Sequence, residues 1–130
     1  MNQDMTKLPF IVAVDFDGTL VEDKFPEIGL PRTQLIEELR ELMETTDIIF
    51  ILWTCRDNED NRRMLDKALD YSTMMGLRWD AVNKNCSEVL EMFHNDTRKV
   101  YANLYIDDKA AAIIGVKTLI FDAVQLRESC

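Results

Sequence analysis

Short apolar runs recur along the chain, and two of them predict buried β-strands on their own. Phe10–Asp15 (FIVAVD) is nearly continuous and rich in β-branched residues, and Ile48–Trp53 (IIFILW) repeats the pattern. Such runs are typical of strands that are covered on both faces of a sheet. Weaker versions of the pattern predict three further strands, at Trp79–Asn83, Leu104–Ile106 and Lys117–Phe121.

Apolar residues recur at helical spacing in the segments between the strands. Pro31–Glu44 begins with a proline suited to a first helical turn and predicts an amphipathic helix. Asn58–Met75 predicts a second helix, followed by Gly76, which suits the left-handed position after a helix end. Ser87–Lys99 predicts a third helix.

The alternation of strands and helices predicts an α/β fold. We expect a Rossmann-like three-layer sandwich, in which helices cover both faces of a mainly parallel five-stranded sheet. The chain of 130 residues fits one domain, residues 1–130. Because ligands of such sheets bind beyond the carboxyl ends of the strands, any site is expected in the loops that follow them.

The composition narrows the classes of function. Hydrophobic residues make up 47% of the chain, which fits a globular core and argues against global disorder. The net charge of −9 argues against general nucleic-acid binding and against binding to anionic membranes. No apolar stretch approaches the length of a bilayer span, the start does not resemble a secretory signal, and three cysteines lack CxxC spacing. A cytoplasmic location with free thiols is therefore expected.

Carboxylates follow two of the predicted strands. Asp15 and Asp17 follow the first, and Asp107 and Asp108 follow the fourth. Because parallel strands end at the same edge, we expect these carboxylates to converge, with Mg²⁺ offsetting their repulsion. The alternative is that both pairs are simple turn residues. A calcium loop does not fit, because it needs glycine at its sixth position and Gly18 is the fourth residue of the motif.

The run FIVAVDFDGTL resembles the first motif of haloacid dehalogenase-like (HAD) phosphatases, an apolar strand followed by Asp-x-Asp-Gly-Thr. Thr54, directly after the second strand, matches the second motif of that family, and the Asp107-Asp108 pair matches its fourth. The third motif is a lysine, for which Lys84 and Lys99 compete. Lys84 is the better match, because it follows a predicted strand at the carboxyl edge of the sheet.

The resemblance spans about residues 8–121 and is strongest to small HAD-like hydrolases of bacteria and phages. It implies that Asp15 is a nucleophile that forms an aspartyl-phosphate and that Asp17 is the general acid and base. It also implies a Mg²⁺ ion held by Asp15, the Asp17 carbonyl and Asp108, with Asp107 acting through water.

The same resemblance implies a binding site for the phosphate of the substrate. The Thr54 hydroxyl and backbone N–H groups near it, at Cys55, would bind phosphate oxygens, and Lys84 would neutralise charge. Arg56 is either a further phosphate contact or a surface residue at a helix start. The spacing from Cys55 to Arg62 does not fit a cysteine phosphatase loop, so Cys55 is not expected to be a nucleophile.

The chain has no room for the cap domain that shields the site in larger HAD proteins. The 21–30 segment (VEDKFPEIGL) would form a flap at most. An open site favours a macromolecular phosphomonoester, a small one enclosed by a partner subunit of a homo-oligomer, or low selectivity. Arg56, Arg62 and Arg63 would form a local positive rim.

A different class of function competes with the enzyme. A phosphate-responsive regulatory module, or a catalytically silent HAD-like binding protein, would use the same fold without turnover. Response-regulator receiver domains also combine an α/β sheet, Mg²⁺ and a phospho-accepting aspartate. Their acceptor ends the third strand, whereas Asn83 stands at that position here.

Overall fold

The computed structural model of the protein describes residues 8–94, 100–107 and 115–129, and within these ranges it contains four strands and four helices. The strands are β1 (Ile11–Val14), β2 (Ile49–Leu52), β3 (Ala81–Val82) and β4 (Leu104–Ile106). The helices are α1 (Thr33–Thr45), α2 (Met64–Met74), α3 (Ser87–Phe93) and α4 (Val116–Glu128). None of these helices is long and apolar enough to cross a membrane.

The sheet is parallel, with the strand order β3-β2-β1-β4. Ile11 of β1 lies opposite Ile49 of β2, and Val12 lies opposite Leu104 of β4. The predicted α/β fold with a parallel sheet is therefore confirmed. Because β1 lies between β2 and β4, the loops after these three strands meet at one edge.

Each face of the sheet packs against helices, which explains why the strands read as continuous apolar runs. One face carries Val12 and Val14 and packs against buried residues of α1, α2 and α4. The other face carries Ile11 and Ala13 and packs against Val89 of α3. All four residues of β1 are buried, so the strand that precedes the acidic loop is held rigidly.

The predicted fifth strand, Lys117–Phe121, is wrong, because these residues form the first turns of α4. The helical period becomes visible only over a longer window, in which Val116 and Ile120 are both buried. They are four residues apart and lie on the same helix face, against the core beside α1. The described part of the sheet therefore has four strands instead of five.

The second predicted helix begins later than expected, at Met64 instead of Asn58, although its end is confirmed. Side chains before it bind nearby backbone: Asp57 accepts from the Glu59 N–H (3.1 Å), and Asn58 accepts from the Asp66 N–H (3.0 Å). Such local bonds compete with helix formation. At the other end Gly76 adopts φ 82° and its N–H donates to the Thr73 carbonyl (3.0 Å), as the sequence predicts for this glycine.

The 21–30 segment leaves the body of the protein after β1 and returns before α1. Its two ends are joined by a hydrogen bond from the Glu22 N–H to the Leu30 carbonyl (2.8 Å). At Gly29 the chain passes so close to itself that an added Cβ would lie 2.0 Å from the Glu22 carbonyl oxygen. The segment is therefore a small closed excursion at the carboxyl edge of the sheet.

Candidate active site at the carboxyl edge of the sheet

Four of the predicted site residues meet in a cavity at the end of the central strands: Asp15, Thr54, Asp107 and Cys55. The cavity has a volume of about 380 Å³ and contains Asp15 after β1, Thr54 after β2 and Asp107 after β4. Cys55 follows Thr54, and the remaining lining residues are Ala13, Trp53, Tyr105 and Ile106. The register of the parallel strands produces this convergence, because each of the three residues follows a strand that ends at the same level.

Asp15 is oriented by the backbone around it. Its N–H donates to the Ile106 carbonyl (3.0 Å), which continues the pairing of β1 with β4 beyond the last strand residue. The Phe16 N–H donates to Asp15 Oδ1 (2.8 Å). These bonds set the direction of the carboxylate at the start of the acidic loop.

Thr54 is held in place by Asn83, a residue for which the sequence pattern predicts no role at the site. The Thr54 N–H donates to Asn83 Oδ1 (2.7 Å), and the Arg56 N–H donates to Thr54 Oγ1 (3.1 Å). Asn83 adopts a left-handed φ of 55°, a conformation that asparagine tolerates better than most residues. An asparagine at the carboxyl end of a predicted strand was the available sequence signal.

Asp17 and Arg56 form a buried ion pair. Arg56 Nε and Nη2 donate to the two carboxylate oxygens of Asp17, each at 2.7 Å. The Arg56 side chain is 0% exposed and that of Asp17 is 18% exposed. The alternative of a surface residue is wrong for Arg56, because its side chain is buried and surrounded by hydrogen-bond acceptors. Its predicted contact with a substrate phosphate stays a prediction.

Lys84 lies on the expected edge of the sheet but not among the residues that line this cavity. It is the second residue after β3, is exposed and has no hydrogen bond or ion pair to a residue in the described ranges. β3 lies two strand spacings from β1, about 9.6 Å. Asp108 and Lys99 lie outside the described residues.

The predicted positive rim is largely neutralised by neighbouring carboxylates. Arg62 pairs with Asp60 (2.7 Å), and Arg63 pairs with Asp66. The hydrogen bond from each arginine lowers the pKa of its partner aspartate, which keeps both carboxylates charged. These exposed pairs do not present unpaired positive charge next to the cavity.

The donors in the cavity suit a hard divalent ion. Asp15 and Asp107 contribute carboxylates, and Mg²⁺ is commonly bound through one or two carboxylates together with waters and a substrate phosphate. Within the described ranges, no three His, Cys, Asp or Glu side chains are grouped closely enough to hold a metal ion. Binding of Mg²⁺ at this edge therefore stays a prediction.

No protein-family model and no curated protein matches the sequence. A solved structure of a conserved protein from Bacteroides thetaiotaomicron is 32% identical to the chain, with a TM-score of 0.69. The match covers 92% of this chain and 93% of that one. The chain belongs to the same family as that conserved protein. The similarity therefore extends over nearly the whole length of both chains.

The side chains that line the cavity determine which ligands it can bind. It brings together two carboxylates and a hydroxyl, with Cys55 as an exposed thiol at the same cavity. Cys86 differs from Cys55, because it is buried and burial raises the pKa of its thiol. The described cavity is therefore suited to a hard cation and to an anion that the cation attracts.

Proposed function

We propose that the protein is a Mg²⁺-dependent HAD-type phosphatase that hydrolyses a phosphomonoester through an aspartyl-phosphate on Asp15. The observation that carries this proposal is the common cavity of Asp15, Thr54 and Asp107. A carboxylate nucleophile, a hydroxyl donor and a second carboxylate for a cation are the groups that such a reaction requires. The resemblance of the Asp-x-Asp-Gly-Thr loop to HAD phosphatases supports the same reaction.

The reaction proceeds in two steps, the formation and the hydrolysis of the aspartyl-phosphate. In the first, a carboxylate oxygen of Asp15 attacks phosphorus, the bond to the leaving oxygen breaks, and Asp17 donates a proton to the released alcohol. In the second, water attacks the phosphorus of the aspartyl-phosphate while Asp17 accepts its proton. Inorganic phosphate leaves, and the Asp15 carboxylate is restored.

The other residues bind and neutralise the phosphate. Because Thr54 Oγ1 accepts a bond from the Arg56 N–H, the hydroxyl keeps its own hydrogen for donation to a phosphate oxygen. Asp15, Asp107, Asp108 and the Asp17 carbonyl would hold Mg²⁺, whose charge reduces the repulsion between Asp15 and the phosphate. Lys84 is exposed on this edge and would add positive charge from the side of β3.

Release of phosphate from a panel of small and macromolecular phosphomonoesters tests the proposal. Activity should require Mg²⁺, disappear in excess chelator and return when Mg²⁺ is restored. Asp15→Asn should abolish turnover, because the amide cannot act as the nucleophile. Asp47→Asn is a matched control, because Asp47 is an exposed aspartate at the opposite edge of the sheet.

Two results would contradict the proposal. Full turnover in excess chelator would remove the metal from the mechanism, and unchanged turnover of Asp15→Asn would remove the aspartyl-phosphate. Intact-mass measurement after an acid quench provides a direct check. The Asp17→Asn variant should accumulate a phosphate adduct from acetyl phosphate, whose leaving group needs no proton, and the double variant with Asp15→Asn should accumulate none.

The position of Asp17 favours a second candidate function. Both of its carboxylate oxygens are bonded to Arg56, and Asp17 does not line the cavity that contains Asp15. If Asp17 stayed there, Asp15 would accept phosphate but its adduct would be hydrolysed slowly, as in a regulatory module. A long-lived adduct on the wild-type protein, with little release of phosphate, would favour this alternative.

A further inference from the structure

Arg56 is bound to more of the structure than to Asp17 alone. Its guanidinium group has five N–H donors, of which two bond to Asp17. The remaining donors bond to the backbone carbonyls of Pro26 (3.2 Å), Met64 (3.5 Å) and Glu27 (3.0 Å). The group also lies over the rings of Phe16 and Phe25, 5.1 and 5.2 Å from their centres.

These contacts are unequal on the two sides of the ion pair. If the pair separates, Arg56 keeps three carbonyl partners and two aromatic rings. The Asp17 side chain is partly exposed and short, so its carboxylate can rotate away. The carboxylate is therefore the member that moves, and the guanidinium is the member that stays.

The proposed chemistry requires such a movement. A general acid must carry a proton on a carboxyl oxygen and present it to the leaving group. In the observed position both oxygens of Asp17 accept hydrogen bonds from Arg56 instead. Asp17 must therefore turn from Arg56 toward the bound ester during the catalytic cycle.

The 21–30 segment is linked to this movement through Arg56. Pro26 and Glu27 provide two of the carbonyls that hold the guanidinium, and Phe25 covers it. Thr54 lies next to this network, because its hydroxyl accepts from the backbone N–H of Arg56. One buried arginine thus connects the segment, the acid-base aspartate and the hydroxyl in the cavity.

We propose that Arg56 is a positioning residue that stays anchored to the 21–30 segment and holds Asp17 ready for proton transfer. This inference rests on the proposed phosphatase function. It predicts that Arg56 acts on catalysis through Asp17 and not through contact with the substrate. Without Arg56, Asp17 has no fixed position from which to turn and the 21–30 segment loses its anchor, so fewer molecules bring Asp17 to the bound ester.

The leaving group separates positioning from a general structural effect. We compare kcat/KM of Arg56→Gln with an alkyl phosphate, whose leaving group needs a proton, and with 4-nitrophenyl phosphate, whose leaving group does not. The variant should lose about 10²-fold with the alkyl ester, the scale of general acid catalysis, and much less with the aryl ester. In an Asp17→Asn background, Arg56→Gln should cause little further loss with either ester.

Hydrogen exchange provides a readout that does not depend on activity. Arg56→Gln should speed exchange of the Glu22 and Glu27 amides, whose bonds to the Leu30 and Lys24 carbonyls close the 21–30 segment. Asp17→Asn should leave these amides protected, because Arg56 keeps its carbonyl partners. Arg56→Lys, which keeps the charge but not the planar fork, replaces Arg56→Gln if that variant does not fold.

Arg63→Gln is the matched control, because Arg63 is an arginine paired with an aspartate on the surface, 62% exposed. It should change neither the kinetics nor the exchange. Equal losses with both esters, or an undiminished Arg56 effect in the Asp17→Asn background, would overturn the positioning role while leaving the phosphatase intact. A wild-type protein that hydrolyses neither ester would instead overturn the proposed function, and the catalytic role of Arg56 with it.

Discussion

Replacing Asp17 by asparagine should destabilise the fold, because the change leaves the charge of Arg56 buried without its counter-ion. The two side chains have nearly the same shape, so the substitution removes charge and one acceptor without creating a cavity. Arg56 cannot turn to solvent to recover hydration, since its side chain is 0% exposed. The loss therefore reports the electrostatic part of the interaction.

The magnitude follows from the geometry of the pair. Removing one partner of a buried ion pair typically costs about 3–5 kcal/mol. Asparagine keeps one acceptor oxygen, and the 18% exposure of Asp17 lets water reach the site, so we expect a lower value of about 2–3 kcal/mol. For a chain of 130 residues, this lowers the unfolding midpoint by about 7–11 °C.

Equilibrium unfolding in urea, followed by fluorescence of Trp53 and Trp79, measures this difference together with the thermal midpoint. Asp66→Asn is the control, because Asp66 is an aspartate paired with an arginine at the surface and should contribute little. A free energy of unfolding within about 1 kcal/mol of wild type for Asp17→Asn would refute the reasoning. An equal loss in Asp66→Asn would refute it as well, because burial would then not matter.

Other features lead to separate predictions. A thiol reagent at mildly alkaline pH should label Cys55 before Cys86, as peptide mapping would show, because Cys86 is buried and burial raises the pKa of its thiol. Burial also raises the pKa of Tyr105, so the neutral hydroxyl contributes stability below about pH 10 that is lost at higher pH. As the pH rises to about 11, the urea midpoint of unfolding should therefore fall less for Tyr105→Phe than for wild type. Lys84→Ala should lower kcat with any phosphoester that the protein hydrolyses, whereas Lys67→Ala, on α2, should not. The reverse result would exclude Lys84 from the site.

The strands that build the site could be predicted from short stretches of sequence. β1 and β2 are buried on both faces, so nearly every one of their residues is apolar and the pattern is visible locally. The end of α2 could also be predicted from local sequence, because Gly76 can adopt the left-handed φ that the helix end requires. The acidic loop could be recognised because its residues are adjacent in sequence.

The predictions of α4 and of the start of α2 are wrong because distant or competing contacts decide the structure there. The residues of α4 that were predicted as a strand have apolar character in either conformation, and packing of Val116 and Ile120 beside α1 selects the helix. Before α2, hydrogen bonds from Asp57 and Asn58 keep the chain out of the helix. The balance between these local bonds and the helical ones is not encoded in a hydrophobic pattern.

By itself, the sequence determined the α/β class, the parallel sheet and the edge at which Asp15, Thr54 and Asp107 meet, because strand direction and loop order follow from the chain. Only the tertiary structure decided the environment of each side chain. Arg56 is close to Thr54 in sequence, yet its partners come from Asp17, the 21–30 segment and the start of α2. A buried charge is stabilised by the sum of such distant contacts, so its position is a property of the folded protein and not of any local segment.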